Sequence, residues 1–372
     1  MIATLATVFL FSLGMSFILT KYSIPFFYKI KLLDDPRTHK HPAILHTTPT
    51  PRSGGVPLFL AIWTAAIFFV PHSPIVFGLF LASLVAAVVG VIDDRYDLSP
   101  LLRFGINILC VIIVILFGIQ IPFITYPLQG IVGQGSPIWH LFAYPYDGIL
   151  HLDRALMSFH IMGITLSLTL AHIITILWVV WLMNMLNWSK GVDGQMPGTV
   201  AIAAIIIGIL SLRFPYSEPH TQLAAVLSFA IAGASLGFLP FNFPPAKIYP
   251  GYSTTAMYFL LACVSFLASV KLATAILVLA VPFVDGMVTV LRRVLTGHSP
   301  VRGDKRHAHH LLMAIGLKKY QIVLIYWTIS IILGIGSLFL SSTGKLFAIG
   351  MVIAIIGGGI CYLLILTRKT DA

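Results

Sequence analysis

Apolar segments as long as the hydrocarbon core of a bilayer recur along the whole chain, and no other feature limits the fold as strongly. A helix needs roughly 20 apolar residues to cross about 30 Å of hydrocarbon. About eleven such segments are predicted, at 3–20, 54–71, 74–92, 104–122, 161–183, 199–213, 221–238, 254–270, 271–289, 320–340 and 345–366. The count falls to about ten if the apolar run around Lys271 is a single span. The sequence therefore predicts an all-α integral membrane protein with one multi-pass domain, 1–372.

Composition excludes a soluble globular domain. Hydrophobic residues make up 58% of the 372 positions and charged residues 9%, with a mean hydropathy of +0.96. Soluble domains carry about 25% charged residues. The net charge of +11 is clustered beside the predicted spans, which favours anionic headgroups and phosphorylated substrates over nucleic acid as partners.

The distribution of basic residues predicts the orientation in the membrane. Of the 23 lysines and arginines, all but Arg154, Arg213, Lys271 and Lys345 fall in one set of alternate loops. Short cytoplasmic loops retain Lys and Arg, so the amino terminus is predicted outside and the carboxyl terminus in the cytoplasm. The cytoplasmic segments are then 34–55, 93–103, 184–198, 239–255 and 290–319. The loop 123–160 is predicted to be external.

Polar residues collect in five patches of the predicted cytoplasmic segments. In the first, Gly54 and Gly55 open a span, where they permit either close backbone approach or a phosphate cradle. In the second, Asp93 and Asp94 end a span. Adjacent carboxylates at a membrane boundary repel each other and need a cation or a proton, unless both are simply solvated.

The third patch lies after the span that ends near residue 183. Asn184 and Asn187 are three residues apart and share a helix face. The glycines that follow break the helix, so Lys190 and Asp193 are predicted to project from a loop.

The fourth and fifth patches are loops rich in polar groups. The fourth holds Lys247 and Tyr252 in a proline-stiffened segment. The fifth contains a histidine cluster with nearby arginines: His307, His309, His310, Arg302 and Arg306. Histidines so spaced bind either a metal such as zinc or an anion. The surrounding cations favour an anion.

Taken in order, these patches give the chain a resemblance to the polyprenyl-phosphate N-acetylhexosamine-1-phosphate transferases, the WecA/MraY-type enzymes of glycosyltransferase family 4. The similarity runs from Arg37 to about Tyr326. It is closest to the undecaprenyl-phosphate GlcNAc-1-phosphate branch, through the run from Asp93 to Pro100 and the HxHH cluster.

The resemblance implies a reaction and a location. A membrane polyprenyl phosphate would attack a UDP-sugar, release UMP and form a lipid diphosphate sugar for the cell envelope. The implied enzyme lies in a bacterial plasma membrane, with its site on the cytoplasmic face and Mg²⁺ as cofactor. The sugar, the prenyl chain and the oligomeric state stay open, a homodimer included.

The resemblance also implies residue roles. Asp93 and Asp94 would be the carboxylates for metal or lipid phosphate, with Asp193 as a further metal ligand. Catalysis would rest on these three and Lys190. The implied substrate-binding residues are Asn184, Asn187, Lys247, Tyr252, Arg302, Arg306, His307, His309, His310, Gly54 and Gly55.

Two positions depart from the family pattern. Lys190 stands where the family has the first Asp of its N-x-x-N loop, and Tyr252 stands where it has an Asp that binds Mg²⁺. Two hypotheses follow from these changes: either Lys190 supplies part of the charge of the ion, or the chain is a catalytically silent relative that binds lipid phosphate or nucleotide-sugar. A transporter is disfavoured because few ionisable residues lie in the predicted spans.

Overall fold

The fold is taken from a computed structural model of the chain. The structure describes residues 1–37, 48–125, 149–161, 164–213, 220–267, 272–299 and 306–370. The description below concerns these residues.

Helices dominate the described part of the chain. They are α1 (Ile2–Lys29), α2 (Gly55–Phe69), α3 (Pro74–Tyr96), α4 (Pro100–Leu116), α5 (Leu170–Trp188), α6 (Gln195–Ser211), α7 (Thr221–Asn242), α8 (Thr255–Leu267), α9 (Leu272–Val278), α10 (Ala280–Leu295), α11 (Ala308–Ala314), α12 (Lys319–Phe339) and α13 (Ser342–Thr370). A short 3₁₀ turn, Ser189–Gly191, follows α5.

Every predicted apolar segment overlaps one of these helices. Among the described residues, 6 helices are long and apolar enough to cross a membrane, and α9 with α10 forms one further candidate that is bent by 89°. Helices α2, α4, α6 and α8 are apolar but shorter. The multi-pass membrane class is confirmed. The number of crossings and the orientation stay predictions.

Short pairs of antiparallel strands lie between the helices of this all-α membrane fold. Strands β1 (Leu33–Asp34) and β2 (Thr50–Pro51) pair, as do β3 (Phe123–Thr125) and β4 (Ile149–His151). Strands β5 (Ala155–Ile161) and β6 (Ile164–Thr169) form a third pair. The span predicted from residue 161 onwards therefore starts in strand, at Ile161 and over Ile164–Thr169, and not in helix. Helix α5 begins later because Thr169 and His172 form a capping box there.

The core is built around α7, which packs along α1 at close range. A Cβ added at Gly233 would lie 2.2 Å from the carbonyl oxygen of Phe9, and one at Gly237 would lie 2.2 Å from that of Leu13. Only glycine allows the two helix backbones to approach this closely. This contact holds α7 firmly, so the loop that follows it starts from a fixed point.

Candidate active site

A sharp turn between α3 and α4 is encoded locally and begins the site. Asp97 ends α3 in the left-handed conformation with φ of 51°, which Asp tolerates better than most residues. Ser99 then caps α4 by accepting a hydrogen bond from the N–H of Leu102, and Pro100 occupies the first turn. The turn places Asp93 opposite Arg103.

Asp94 is the hub of the site. The residue is only 2% exposed. Its carboxylate accepts hydrogen bonds from the Ser53 hydroxyl (2.7 Å) and from the backbone N–H groups of Tyr252 (2.6 Å) and Ser253 (3.3 Å). Arg52 Nε lies 3.2 Å from Asp94 Oδ1. Both carboxylate oxygens are therefore engaged by donors from two separate loops.

Gly54 and Gly55 serve this packing and not a phosphate cradle. Their N–H groups donate to the carbonyls of Tyr249 and Pro250, each at 2.9 Å. A Cβ at Gly55 would lie 2.1 Å from the backbone of Ser253. The backbone donors that a cradle would need are thus occupied, and close backbone approach, the other alternative from the sequence, describes this pair.

Gly251 packs against the carboxylate of Asp94 and provides a test of the packing. Its φ is +69°, and an added Cβ would lie 2.3 Å from Asp94 Oδ2. Gly118 has a similar φ of +83° but nothing within 4 Å of an added Cβ. We expect Gly118→Ala to cost about 1–2 kcal/mol from backbone strain alone.

Gly251→Ala should cost clearly more, because it must also displace the Asp94 carboxylate. Thermal unfolding of the purified protein in detergent would measure both variants. Equal shifts in melting temperature would show that the hub does not hold the loop.

Asp93 is held differently from Asp94. Its Oδ1 accepts from Arg103 Nε at 2.5 Å and from the Leu98 N–H at 3.1 Å. Arg103 also bridges to Asp97. The second oxygen, Asp93 Oδ2, is buried and has no hydrogen-bond partner among the described residues. This oxygen retains lone pairs that no donor in the described part of the chain occupies.

Lys190 enters the same site from the turn after α5. Its ammonium donates to Asn187 Oδ1 at 2.8 Å and to the Gly251 carbonyl at 2.9 Å. It also lies 5.7 Å from the centroid of the Tyr252 ring, within the range of a cation–π contact. Asn187 in turn donates to Thr255 Oγ1 at 2.7 Å. The third and fourth patches are therefore joined.

The Tyr252 side chain points towards α4. Its hydroxyl lies 3.5 Å from Asn107 Oδ1, and Arg103 lies 5.2 Å from the ring centroid. Burial raises the pKa of the Tyr252 phenol to about 12, so the phenol is neutral near pH 7. The ring thus lies within 6 Å of two cations, Arg103 and Lys190, and contributes to the wall of the site.

Asp193 lies on the side of the site that faces α12. Lys319 Nζ is 3.2 Å from Asp193 Oδ2. The neighbouring Gly194 N–H donates to Asn242 Oδ1 at 2.9 Å. Asn184, on the last turns of α5, donates to the Val180 carbonyl at 2.7 Å. The ion pair between Lys319 and Asp193 neutralises the Asp193 carboxylate. The family resemblance implies that this carboxylate is a metal ligand.

The histidine cluster packs directly on the Lys190 turn. A Cβ at Gly191 would lie 2.1 Å from His309 Nε2. His309 is 1% exposed and stacks on His307, with ring centroids 5.8 Å apart and planes 3° apart. Burial, together with His310 and His307, holds the pKa of His309 well below its usual value. His309 is therefore neutral at pH 7.

His307 is anchored by a carboxylate of α10, Asp285. Asp285 Oδ2 lies 2.9 Å from His307 Nδ1, and Asp285 Oδ1 accepts the Ala308 N–H at 2.8 Å. One carboxylate thus orients His307 and binds the first N–H of α11. His310 is half-buried, with its ring centroid 4.3 Å from that of His309.

The remaining predicted site residues are less central. Lys247 is exposed on the loop before α8, where its N–H donates to the Phe241 carbonyl at 2.8 Å. Arg306 is also exposed. Arg302 lies outside the described residues.

Sequence reasoning missed several members of the site. Arg103, Asn107 and Lys319 were not selected, although each contacts a selected residue. A signal for Arg103 exists, since a left-handed Asp97 followed by a Ser-Pro helix start folds the chain back towards Asp93. Lys319 carries no local signal because its partner is 126 positions away.

The described donors do not fit Mg²⁺. No group of three His, Cys, Asp or Glu side chains within the described ranges could hold a metal ion. Asp94 is saturated by its donors and Asp193 is paired with Lys319. That leaves Asp93 Oδ2, beside Arg103, and one buried oxygen next to a cation is a poor dication ligand.

Fold and site together define a class, namely a multi-pass membrane protein with a buried cluster of charged side chains where helix ends meet. The sequence model of glycosyl transferase family 4 matches residues 76–270, more than half of the chain. The chain belongs to this family and is a transferase by class.

Individual relatives agree with that assignment. The chain is 31% identical to a decaprenyl-phosphate N-acetylglucosaminephosphotransferase of Mycobacterium tuberculosis, covering 88% of this chain and 81% of the relative. It is 27% identical to a probable undecaprenyl-phosphate N-acetylglucosaminyl 1-phosphate transferase of Bacillus subtilis, covering 84% and 78%. It is 25% identical to a phospho-N-acetylmuramoyl-pentapeptide-transferase of Bacillus pumilus, covering 89% and 97%.

Proposed function

We propose that this protein transfers a sugar 1-phosphate, from the N-acetylhexosamine class, from a UDP-sugar to a polyprenyl phosphate in a bacterial membrane, releasing UMP. The observation that carries the proposal is the convergence of all five polar patches at the ends of apolar helices. Apolar helices can hold a lipid while the cluster meets its phosphate. The names of the relatives supply the lipid and the aminosugar.

In the proposed reaction an oxygen of the lipid phosphate attacks the β-phosphorus of the UDP-sugar. The bond from that phosphorus to the bridging oxygen breaks, and UMP leaves with the electron pair. Phosphoryl transfer depends chiefly on positioning and charge stabilisation. Lys190, Arg52 and Arg103 supply cations to the cluster.

The two adjacent carboxylates receive different roles. Asp94 is saturated by donors, so we assign it to holding the loop that carries Tyr252. Asp93 Oδ2 is not engaged by any described donor, so Asp93 is the candidate to accept a proton from the lipid phosphate. The structure supports this division, which the sequence left open.

The site is proposed to face the cytoplasm, as part of a pathway for envelope glycans such as peptidoglycan or lipopolysaccharide precursors. The support is the excess of basic residues in the loops that carry the site. The histidine cluster is proposed to contact the nucleotide-sugar through His310, the least buried of the three.

Incubating the purified protein with undecaprenyl phosphate and a panel of UDP-sugars tests the proposal. We expect UMP release that depends on both substrates, together with a lipid-linked product. Absence of UMP under every condition would favour the alternative, a catalytically silent relative that binds lipid phosphate or nucleotide-sugar. The observation behind that alternative is the presence of Lys190 and Tyr252 at family acidic positions.

A further inference from the structure

The hydrogen bonds that hold the Lys190 ammonium in the site leave one of its N–H groups without a described acceptor. An ammonium carries three N–H bonds, and the described hydrogen bonds to Asn187 Oδ1 and the Gly251 carbonyl use two of them. The centroid of the Tyr252 ring lies 5.7 Å from the ammonium. The third N–H has no acceptor among the described residues, so it can donate to a phosphate oxygen while the two hydrogen bonds are kept.

The surrounding charges already exceed neutrality. The groups that act electrostatically on Lys190 are Asp93, Asp94, Arg52 and Arg103. With Lys190 itself, they contribute three positive and two negative charges, a sum of +1. Asp97, which also pairs with Arg103, is left out of this sum because its side chain is 62% exposed and its charge is screened by solvent.

A divalent ion added here would meet this positive cluster with a single unengaged carboxylate oxygen, Asp93 Oδ2, among the described residues. Both carboxylate oxygens of Asp94 already accept from protein donors, and the Tyr252 ring lies close to both Lys190 and Arg103. An anion, by contrast, would accept a hydrogen bond from Lys190 and would offset the surplus positive charge of the site.

We propose that Lys190 is the resident cation of this site and that it binds the diphosphate of the substrate without a divalent metal ion. The identity of that diphosphate as part of a UDP-sugar rests on the proposed function. The chemistry on which the inference depends is only that of a phosphate oxygen accepting from a fixed ammonium.

The test is equilibrium binding of three probes to the purified full-length protein: UDP-GlcNAc, UMP and inorganic pyrophosphate, each in EDTA and in MgCl₂. We expect UDP-GlcNAc to bind with the same Kd, within about threefold, in both solutions. Because this comparison uses the wild-type protein, it does not depend on any variant folding correctly.

Two matched variants locate the effect. Lys190→Gln keeps N–H donors for Asn187 and Gly251 but removes the charge, and we expect it to raise the Kd at least about tenfold, the effect of losing one charge-assisted hydrogen bond. Lys345→Gln is the control, because Lys345 is also half-buried, donates to Thr274 Oγ1 at 2.9 Å and lies in another part of the chain. Its Kd should be unchanged.

The outcomes separate this inference from the proposed function. Binding of UDP-GlcNAc that requires Mg²⁺, or one Mn²⁺ bound per protein and lost in Asp93→Asn, would overturn the inference and leave the function intact. Metal-independent binding of pyrophosphate but not of UMP or UDP-GlcNAc would support the inference and reject the function. No binding of any probe would overturn both.

Discussion

Replacing Asp93 by asparagine is expected to lower the rate of UMP release by about a hundredfold, the typical effect of removing a general base. The variant keeps Oδ1 as an acceptor for Arg103 Nε and the Leu98 N–H. It converts the unengaged Oδ2 into an NH₂ group, which cannot take a proton from the lipid phosphate. The melting temperature should change little.

Asp97→Asn is the control for the Asp93 variant. Asp97 also bridges to Arg103, but its side chain is 62% exposed. We expect turnover within about threefold of wild type, since exposed ion pairs contribute little. Equal losses in the two variants would indicate a general effect of charge on Arg103, and wild-type turnover in Asp93→Asn would reject the role of proton acceptor.

Replacing Asp94 by asparagine is expected to cost about 3–5 kcal/mol of folding free energy, in contrast to Asp93. The NH₂ group of asparagine would face an N–H or O–H donor that now bonds to a carboxylate oxygen. Arg52, whose Nε lies 3.2 Å from Asp94 Oδ1, would lose its buried negative partner. Thermal unfolding in detergent measures this effect. The two carboxylates look equivalent in the sequence, and their different partners distinguish them only in the structure.

A double variant gives the internal control for Asp94. Arg52→Gln removes the cation that Asp94→Asn leaves unpaired, so the two changes together should cost less than the sum of the single changes. Strict additivity would show that Arg52 and Asp94 do not stabilise each other. An unchanged melting temperature in Asp94→Asn would contradict the hub described above.

The two departures from the family pattern are in contact in the structure. Lys190 lies over the ring of Tyr252, and the Tyr252 N–H donates to Asp94. A lysine and an aromatic ring thus occupy positions where the resemblance implies two carboxylates. The residues changed in sequence are therefore parts of one arrangement, whose charge differs from that implied by the family.

Helix positions followed well from the sequence, because a span must contain about 20 apolar residues whatever its neighbours are. The exception is the segment Ile164–Thr169, which is apolar enough for a span but forms strand up to the capping box at Thr169. Hydropathy over a short window does not distinguish an apolar strand from an apolar helix.

The sequence alone determined the membrane class, the helical segments and the polar patches that carry the site, since each of these depends on the residue types within a short stretch. Only the tertiary structure decided how the charges are paired. It joined Asp94 to Arg52 and to the loop 250–253, Asp193 to Lys319, and His309 to Gly191. Such pairings depend on which helix ends meet in space. Residue type and spacing do not encode them.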